Sequence, residues 1–226
     1  MIKTKKTGEL IIISGTTCAG KDTIVKKVLE KNKNVTLATS YTSRPIRPGE
    51  KEGSDYYFVS KEQFEEKIKN DEFLEYACVQ YGAYYGTPKK EVLDILNSGK
   101  DVILVIDVQG AQIIKEKFPE TLLIFILAPS MKEIKKRLIS RGTETKSQII
   151  ERFKLAYNEI NEVNKYNYVV VNDDLEACVE KVNSIIISNK YRVDRIEELS
   201  VENQEEFMHE LLIDKDVNNI KLDYED

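Results

Sequence analysis

Leu10-Ile11-Ile12-Ile13-Ser14-Gly15-Thr16-Thr17-Cys18-Ala19-Gly20-Lys21-Asp22-Thr23 is the stretch on which the fold turns. The apolar run Leu10 to Ile13 has the character of a strand buried on both faces of a parallel sheet. Past the turn, Ile24, Val25, Val28 and Leu29 share one helical face, with Lys26, Lys27, Glu30 and Lys31 mostly opposite. A strand, a glycine-bounded turn ending in lysine, and a helix form the setting of a phosphate-binding loop. Its glycines let backbone N–H groups converge on phosphate oxygens, the helix N-terminus adds partial positive charge, and Lys21 adds a full one. An ordinary glycine turn is the competing reading; the spacing and the lysine weigh against it. Gly15, Thr16, Thr17, Cys18, Ala19, Gly20, Lys21, Asp22 and Thr23 are thus the candidate ATP-binding residues of the loop.

Outward from this loop, strands and helices alternate. Val35 to Thr39 reads as a second strand, and Arg44 to Ser54, rich in Pro, Gly and charge, as a loop. Tyr56 to Val59 is strand-like, and Ser60 with Gln63 predicts a capping box for a helix through about Lys69. Phe73 to Val79 alternates into a further strand. Thr87-Pro88 predicts a helix with proline at its first position, ended by Gly99. Val102 to Ile106 and Leu122 to Leu127 are again buried-strand runs. Ser130 with Glu133, and Thr145 with Gln148, predict two more capped helices. Tyr168 to Val171 is the last strand, followed by a helix through about Ser188. The order predicts an α/β fold, a parallel sheet wrapped by helices, with residues 40–96 as a mixed insertion.

Composition narrows the function. Of 226 residues, 41% are hydrophobic and 32% charged, as in a soluble globular chain. No apolar run approaches the roughly 20 residues of a membrane span. Met1 to Lys6 is basic without the apolar core of a signal peptide, so a cytoplasmic location is expected. Cys18, Cys78 and Cys178 lack metal-ligand spacing, and His209 is the only histidine. A zinc site or a Ser-His-Asp triad is therefore not expected. The net charge of −5 argues against nucleic acid. Residues 191–226 hold four basic and twelve acidic residues, leaving 30 basic and 27 acidic in residues 1–190. A mildly positive body suits anionic small substrates.

Beyond the loop, a series of motifs resembles the guanylate kinase family over roughly residues 8–190. They are Ser40-x-x-x-Arg44-x-x-Arg47-Pro48-Gly49-Glu50, Gly53-x-Asp55-Tyr56, Glu72-Phe73-Leu74-Glu75 and Tyr84-Tyr85-Gly86-Thr87. Then follow Asp107-x-Gln109-Gly110, Lys136-Arg137-x-x-x-Arg141-Gly142-Thr143-Glu144-Thr145, Arg152, and Asn172-Asp173-Asp174-Leu175. The resemblance implies a P-loop nucleoside-monophosphate kinase fold with a parallel five-stranded core sheet. In it, a core (about 8–39, 97–137 and 166–190) carries a GMP-binding subdomain (about 40–96) and a helical lid (about 138–165). Residues 191–226 would be an acidic C-terminal extension.

The resemblance also implies residue roles. Arg44 and Arg47 grip the GMP phosphate with hydroxyls from Tyr56 and Tyr85; arginine's planar fork suits a phosphate better than lysine's point charge. Glu75 accepts from guanine N1–H and the 2-amino group, a pair of donors adenine lacks. Thr87 donates to guanine O6, and Ser40, Gly86 and Asp107 complete the GMP site. Asn172 joins the ATP site. Lys21, Arg44, Arg137, Arg141 and Arg152 form the catalytic set, and ATP brings Mg²⁺. No general base is needed, because the attacking phosphate oxygen is already anionic.

Two positions depart from the family pattern. Asp22 replaces the usual Ser or Thr after the lysine, and Val105 replaces the first Asp of an Asp-x-Asp pair, leaving Asp107. A carboxylate beside ATP is repelled unless a cation lies between them, so Asp22 is the candidate Mg²⁺ ligand; a neutral substitution, with Mg²⁺ held by ATP and water, is the alternative. Ribose 1,5-bisphosphokinases have a similar loop with Asp at this place, without the Arg44/Arg47, Glu75 and Thr87 set. A protein-binding guanylate-kinase-like module is a further alternative, opposed by the retained Lys21 and arginines. Cys18 is either a reactive thiol or a small filler residue. Phe207, Met208, Leu211 and Leu212 recur at helical spacing after a cap at Ser200. The oligomeric state is not legible.

Overall fold

A computed structural model describes residues 2–4, 7–47, 49–78, 82–141 and 145–199. In chain order the strands and helices are β1 (Ile2–Thr4), β2 (Leu10–Gly15), α1 (Lys21–Lys31), β3 (Val35–Leu37), β4 (Tyr41–Thr42), β5 (Tyr57–Phe58), α2 (Lys61–Lys69), β6 (Phe73–Cys78) and β7 (Tyr84–Pro88). There follow α3 (Lys89–Asn97), β8 (Asp101–Val105), α4 (Val108–Lys117), β9 (Leu122–Leu127), α5 (Met131–Arg141), α6 (Lys146–Ile160), β10 (Tyr168–Val171), α7 (Leu175–Asn189) and β11 (Ile196–Leu199). Residues 6–189 form one compact unit. β1 and β11 belong to a second, where they pair antiparallel. The helical spacing around Phe207 lies outside the described residues.

The five-stranded sheet has the order β10-β9-β2-β8-β3, and every pairing in it is parallel. β2 runs through its centre, which is why all six of its residues are buried. Ile11 and Ile13 face a cluster with Ile24, Val25 and Val28 of α1 and Val179 and Val182 of α7. Ile12 faces the other layer, with Val92 of α3 and Ala111 and Ile114 of α4. Each fully buried aliphatic side chain contributes about 1.5–3 kcal/mol. Asn189, at the end of α7, donates a hydrogen bond to the Glu9 carboxylate just before β2. None of the described helices is long and apolar enough to cross a membrane.

The second sheet, β5-β4-β7-β6, is mixed: β4 and β5 are parallel, and β7 is antiparallel to both β4 and β6. The capping boxes at Ser60/Gln63 and Thr145/Gln148 are both formed, and the Glu133 N–H bonds to Ser130 Oγ. Pro88 differs from its predicted place by one position. It is the N-cap of α3 with ψ 121°, because it still pairs with Phe73 in the β6–β7 ladder.

Candidate active site

The phosphate loop takes its shape from close approaches. A Cβ on Gly15 would lie 2.1 Å from the carbonyl oxygen of Ile126, and Gly20 begins α1 at φ 91° with Asn172 Nδ2 against it. Cys18 also has a left-handed backbone, at φ 59°. Three elements brace the loop. Asn172 Nδ2, past β10, donates to the Ala19 carbonyl at 2.7 Å, and Arg137 Nη1, on α5, donates to the Cys18 carbonyl at 3.1 Å. The Thr17 N–H donates to Glu159 Oε2, on α6, at 3.0 Å. Lys21 Nζ lies back over the loop, donating to the Gly15 and Thr16 carbonyls at 2.8 and 3.2 Å.

The loop forms one end of a cleft of about 630 Å³. Of the residues expected from sequence, the cleft gathers Gly15, Lys21, Asp22, Ser40, Arg44, Arg47, Tyr56, Glu75, Tyr85, Gly86, Asp107 and Arg152, and it includes Val105. It lies at the carboxyl ends of β2 and β8, where open parallel sheets place their ligands.

Arg44 is held on every side. Its Nη1 and Nη2 donate to the two carboxylate oxygens of Glu50 at 2.7 and 2.6 Å, and its Nε donates to the Tyr85 hydroxyl at 2.9 Å. The guanidinium lies over the Tyr56 and Phe58 rings. Burial works against its charge, but Glu50 and Tyr85 outweigh that and hold the arginine protonated. Arg47 stays exposed, its N–H bonded to Glu50. Burial foremost, and then the nearby Asp22, push the Tyr56 hydroxyl up to about 12.

Glu75 is 6% exposed and stands opposite Thr87 in the β6–β7 ladder. Thr87 is fully buried, and its hydroxyl donates to Glu75 Oε1 at 2.7 Å. Burial pushes the Glu75 carboxyl up to about 7, and Asp107 adds to the rise, while the Thr87 hydrogen bond opposes it. Asp107 itself caps α4, accepting from the Gly110 N–H at 2.8 Å. The expected Thr87 bond to a base oxygen therefore meets a hydroxyl already committed to Glu75.

Several expected residues are not among those that line the cleft. Arg137 has Nε on Glu133 at 3.0 Å and Nη1 on the loop backbone. Asn172 and Ala19 are buried, and Thr23 is exposed on the first turn of α1. Thr16 is fully buried. Cys18 packs in a small apolar cluster with Ile134, Leu138 and Ala156, in keeping with a filler. The Arg141 side chain and residues 142–144 lie outside the described residues.

Sequence reasoning missed part of one wall. Gln148, Leu155 and Glu159 line the cleft beside Arg152, all on α6. Their spacing of four, three and four residues is one helical stripe, and that stripe is the only signal that could have found them. Burial raises the Glu159 carboxyl, against the pull of Lys21 and the Thr17 N–H.

The guanylate kinase family profile matches residues 7–189. A guanylate kinase of Clostridium tetani is 54% identical over 92% of this chain and 99% of its own length. One from Caldanaerobacter subterraneus is 54% identical over 89% of this chain and 98% of its own length. The crystal structure of a guanylate kinase from Anaplasma phagocytophilum superposes with a TM-score of 0.72 at 33% identity, covering 93% of this chain and 99% of that one. A cleft that joins a phosphate loop to a buried carboxylate and a clamped arginine, together with these matches, places the chain in the guanylate kinase family.

Proposed function

We propose that this chain is a cytoplasmic enzyme of purine nucleotide metabolism that transfers the terminal phosphate of ATP onto GMP or dGMP. The observation that carries the reading is one cleft in which Lys21 and the phosphate loop face Arg44, Arg47 and Glu75. Residues 40–96 act as the GMP-binding subdomain, about 138–165 as the lid, and 8–39, 97–137 and 166–190 as the core. In sequence, residues 191–226 follow the kinase region as an acidic C-terminal extension.

Loop N–H groups and Lys21 take the ATP phosphates, with Asn172 and Arg137 bracing the loop from behind. Arg44, with Arg47, Tyr56 and Tyr85, takes the GMP phosphate. Ionised Glu75 accepts from N1–H and the 2-amino group of guanine, steadied by Thr87, with Ser40, Gly86 and Asp107 around it. A site built on such paired bonds rejects an analogue lacking them by roughly 10⁴-fold or more. Arg152 reaches over the cleft to the transferring oxygens, where an arginine supplies about 10³–10⁵ in rate; Arg141 is assigned the same role by resemblance. The acceptor oxygen is already anionic, so alignment and exclusion of water suffice.

Asp22 and Asp107 offer hard carboxylate oxygens on the cleft wall. Among the described residues, no group of three ligating side chains could enclose an ion. This donor set fits Mg²⁺ held mostly by ATP phosphates and water, with Asp22 as the protein's carboxylate, directly or through water. So held, Mg²⁺ would neutralise charge on the transferring phosphate.

A coupled ADP-release assay with GMP, dGMP, AMP, UMP and ribose 1,5-bisphosphate tests the reading. Turnover is expected with the two guanine nucleotides alone; turnover with ribose 1,5-bisphosphate in their place, or with no acceptor, would overturn it.

A further inference from the structure

Glu159 has no assigned part in the reaction, yet it ties helix α6 to the phosphate loop. Two contacts of different kind join them. Cys18 of the loop shares an apolar cluster with Ala156 and has Phe153 packed against that cluster, both on α6. The neighbouring loop residue, Thr17, gives its N–H to Glu159 Oε2 at 3.0 Å. The apolar contact, which also takes in Ile134 and Leu138 of α5, sets how closely the helix sits but is not directional. A hydrogen bond to a backbone N–H is directional. Arg152 lies on the same stripe as Glu159, about 10 Å along the helix axis at 1.5 Å per residue.

We propose that Glu159 is a positioning residue for phosphoryl transfer: its bond to the Thr17 N–H fixes the roll of α6 on the phosphate loop, and so sets Arg152 over the transferring phosphate. The proposal rests on the reading of Arg152 given above. The geometry gives the sense of the effect. The loop is also where the ATP phosphates are gripped, so a helix indexed to that loop carries its arginine in register with the phosphates themselves. Without the bond, the same apolar contact allows a small rotation about the Cys18 cluster. A misplacement of about 1 Å is enough to cost on the order of 10²-fold in rate.

The test is a double-mutant cycle on the full chain: Glu159→Ala, Arg152→Ala and both, with kcat and both KM values measured. Glu159→Ala is expected to lower kcat by about 10²-fold with KM for GMP unchanged, and to add nothing in the Arg152→Ala background. Hydrogen exchange at the Thr17 amide should quicken in Glu159→Ala. Glu159→Gln keeps an acceptor oxygen, so it should recover much of kcat and keep Thr17 protected; this variant also guards against loss of the fold. Full additivity with Arg152, unchanged exchange at Thr17, or a Gln variant as poor as Ala would overturn the proposal. So would a lower KM for ATP in both variants, which would mean that the carboxylate competes with the triphosphate for the loop. If Arg152→Ala alone left kcat intact, the catalytic reading of Arg152 would fall, and this inference with it.

Discussion

Thr87 donates its hydroxyl hydrogen to Glu75 Oε1 at 2.7 Å, inside the wall of the cleft. With burial holding Glu75 near 7, the empty protein carries it partly protonated at neutral pH. Guanine N1–H and its 2-amino group both need an acceptor, so binding selects the ionised form and releases a proton. GMP affinity should therefore fall about tenfold per pH unit below about pH 7 and level off above it. Calorimetry in buffers of different ionisation enthalpy should read the released proton, and Glu75→Gln should remove the part of the release and of the slope centred at about pH 7, leaving only that of the GMP phosphate, whose second ionisation lies at about pH 6. Thr87→Val removes a bond that favours the ionised carboxyl, so it should move the slope to higher pH.

The Arg44–Glu50 pair is nearly enclosed, with side-chain exposures of 10% and 20%. Removing one member of such a pair leaves a charge without its partner and costs about 3–5 kcal/mol when burial is complete. Glu50→Gln should lower the Tm of the empty protein by somewhat less than that implies. A bound phosphate would restore a partner to Arg44, so saturating GMP should raise Tm more in the variant than in the parent protein. Thermal melts with and without GMP check this; an equal shift in both proteins would count against a phosphate at Arg44.

Gly15→Ala puts a methyl group 2.1 Å from the Ile126 carbonyl, a backbone atom that cannot step aside. The end of the β2–β9 pairing must give way locally, because Gly15 pairs with Ile126. A stability loss above about 2 kcal/mol is expected, with KM for ATP raised more than KM for GMP. Urea unfolding and steady-state kinetics measure the two effects.

Asp22 and Val105 line the same cleft. If Asp22 supplies the carboxylate that a strand residue at 105 would otherwise supply, Asp22→Ser should raise the Mg²⁺ concentration needed for half-maximal rate. Val105→Asp should restore it in that background. The cycle is also read by Mn²⁺ binding in the presence of an ATP analogue, and simple additivity would sink the relocation.

The phosphate loop could be read directly because its chemistry is local: consecutive residues make the turn, the helix start and the charge. The parallel sheet was legible for a similar reason, since Leu10 to Ile13 and Leu122 to Ile126 are buried on both faces and show as unbroken apolar runs. β7 and α4 gave weaker signals. The first is a run of two tyrosines, a glycine and a threonine, and the second opens with Gly110 in its first turn. The partner of Thr87 was beyond reach, because it depends on a register shift between Phe73 and Glu75 that brings Glu75 opposite Thr87. Glu159 was hidden for another reason. It is one acid on a mixed helix, and its meaning comes from a residue 142 positions away.

The tie between Asn189 and Glu9 joins the last helix of the larger unit to the threshold of its first central strand. α7 also covers Ile11, Ile13 and the apolar face of α1 through Val179, Val182 and Ile186. During synthesis, the innermost strand of the sheet emerges early, and the side it will share with α7 has only α1 over it until nearly the whole chain has been translated. A ribosome stalled before α7 would hold an exposed isoleucine-rich surface, and a stop codon in that helix would yield a chain fit for chaperones or proteases.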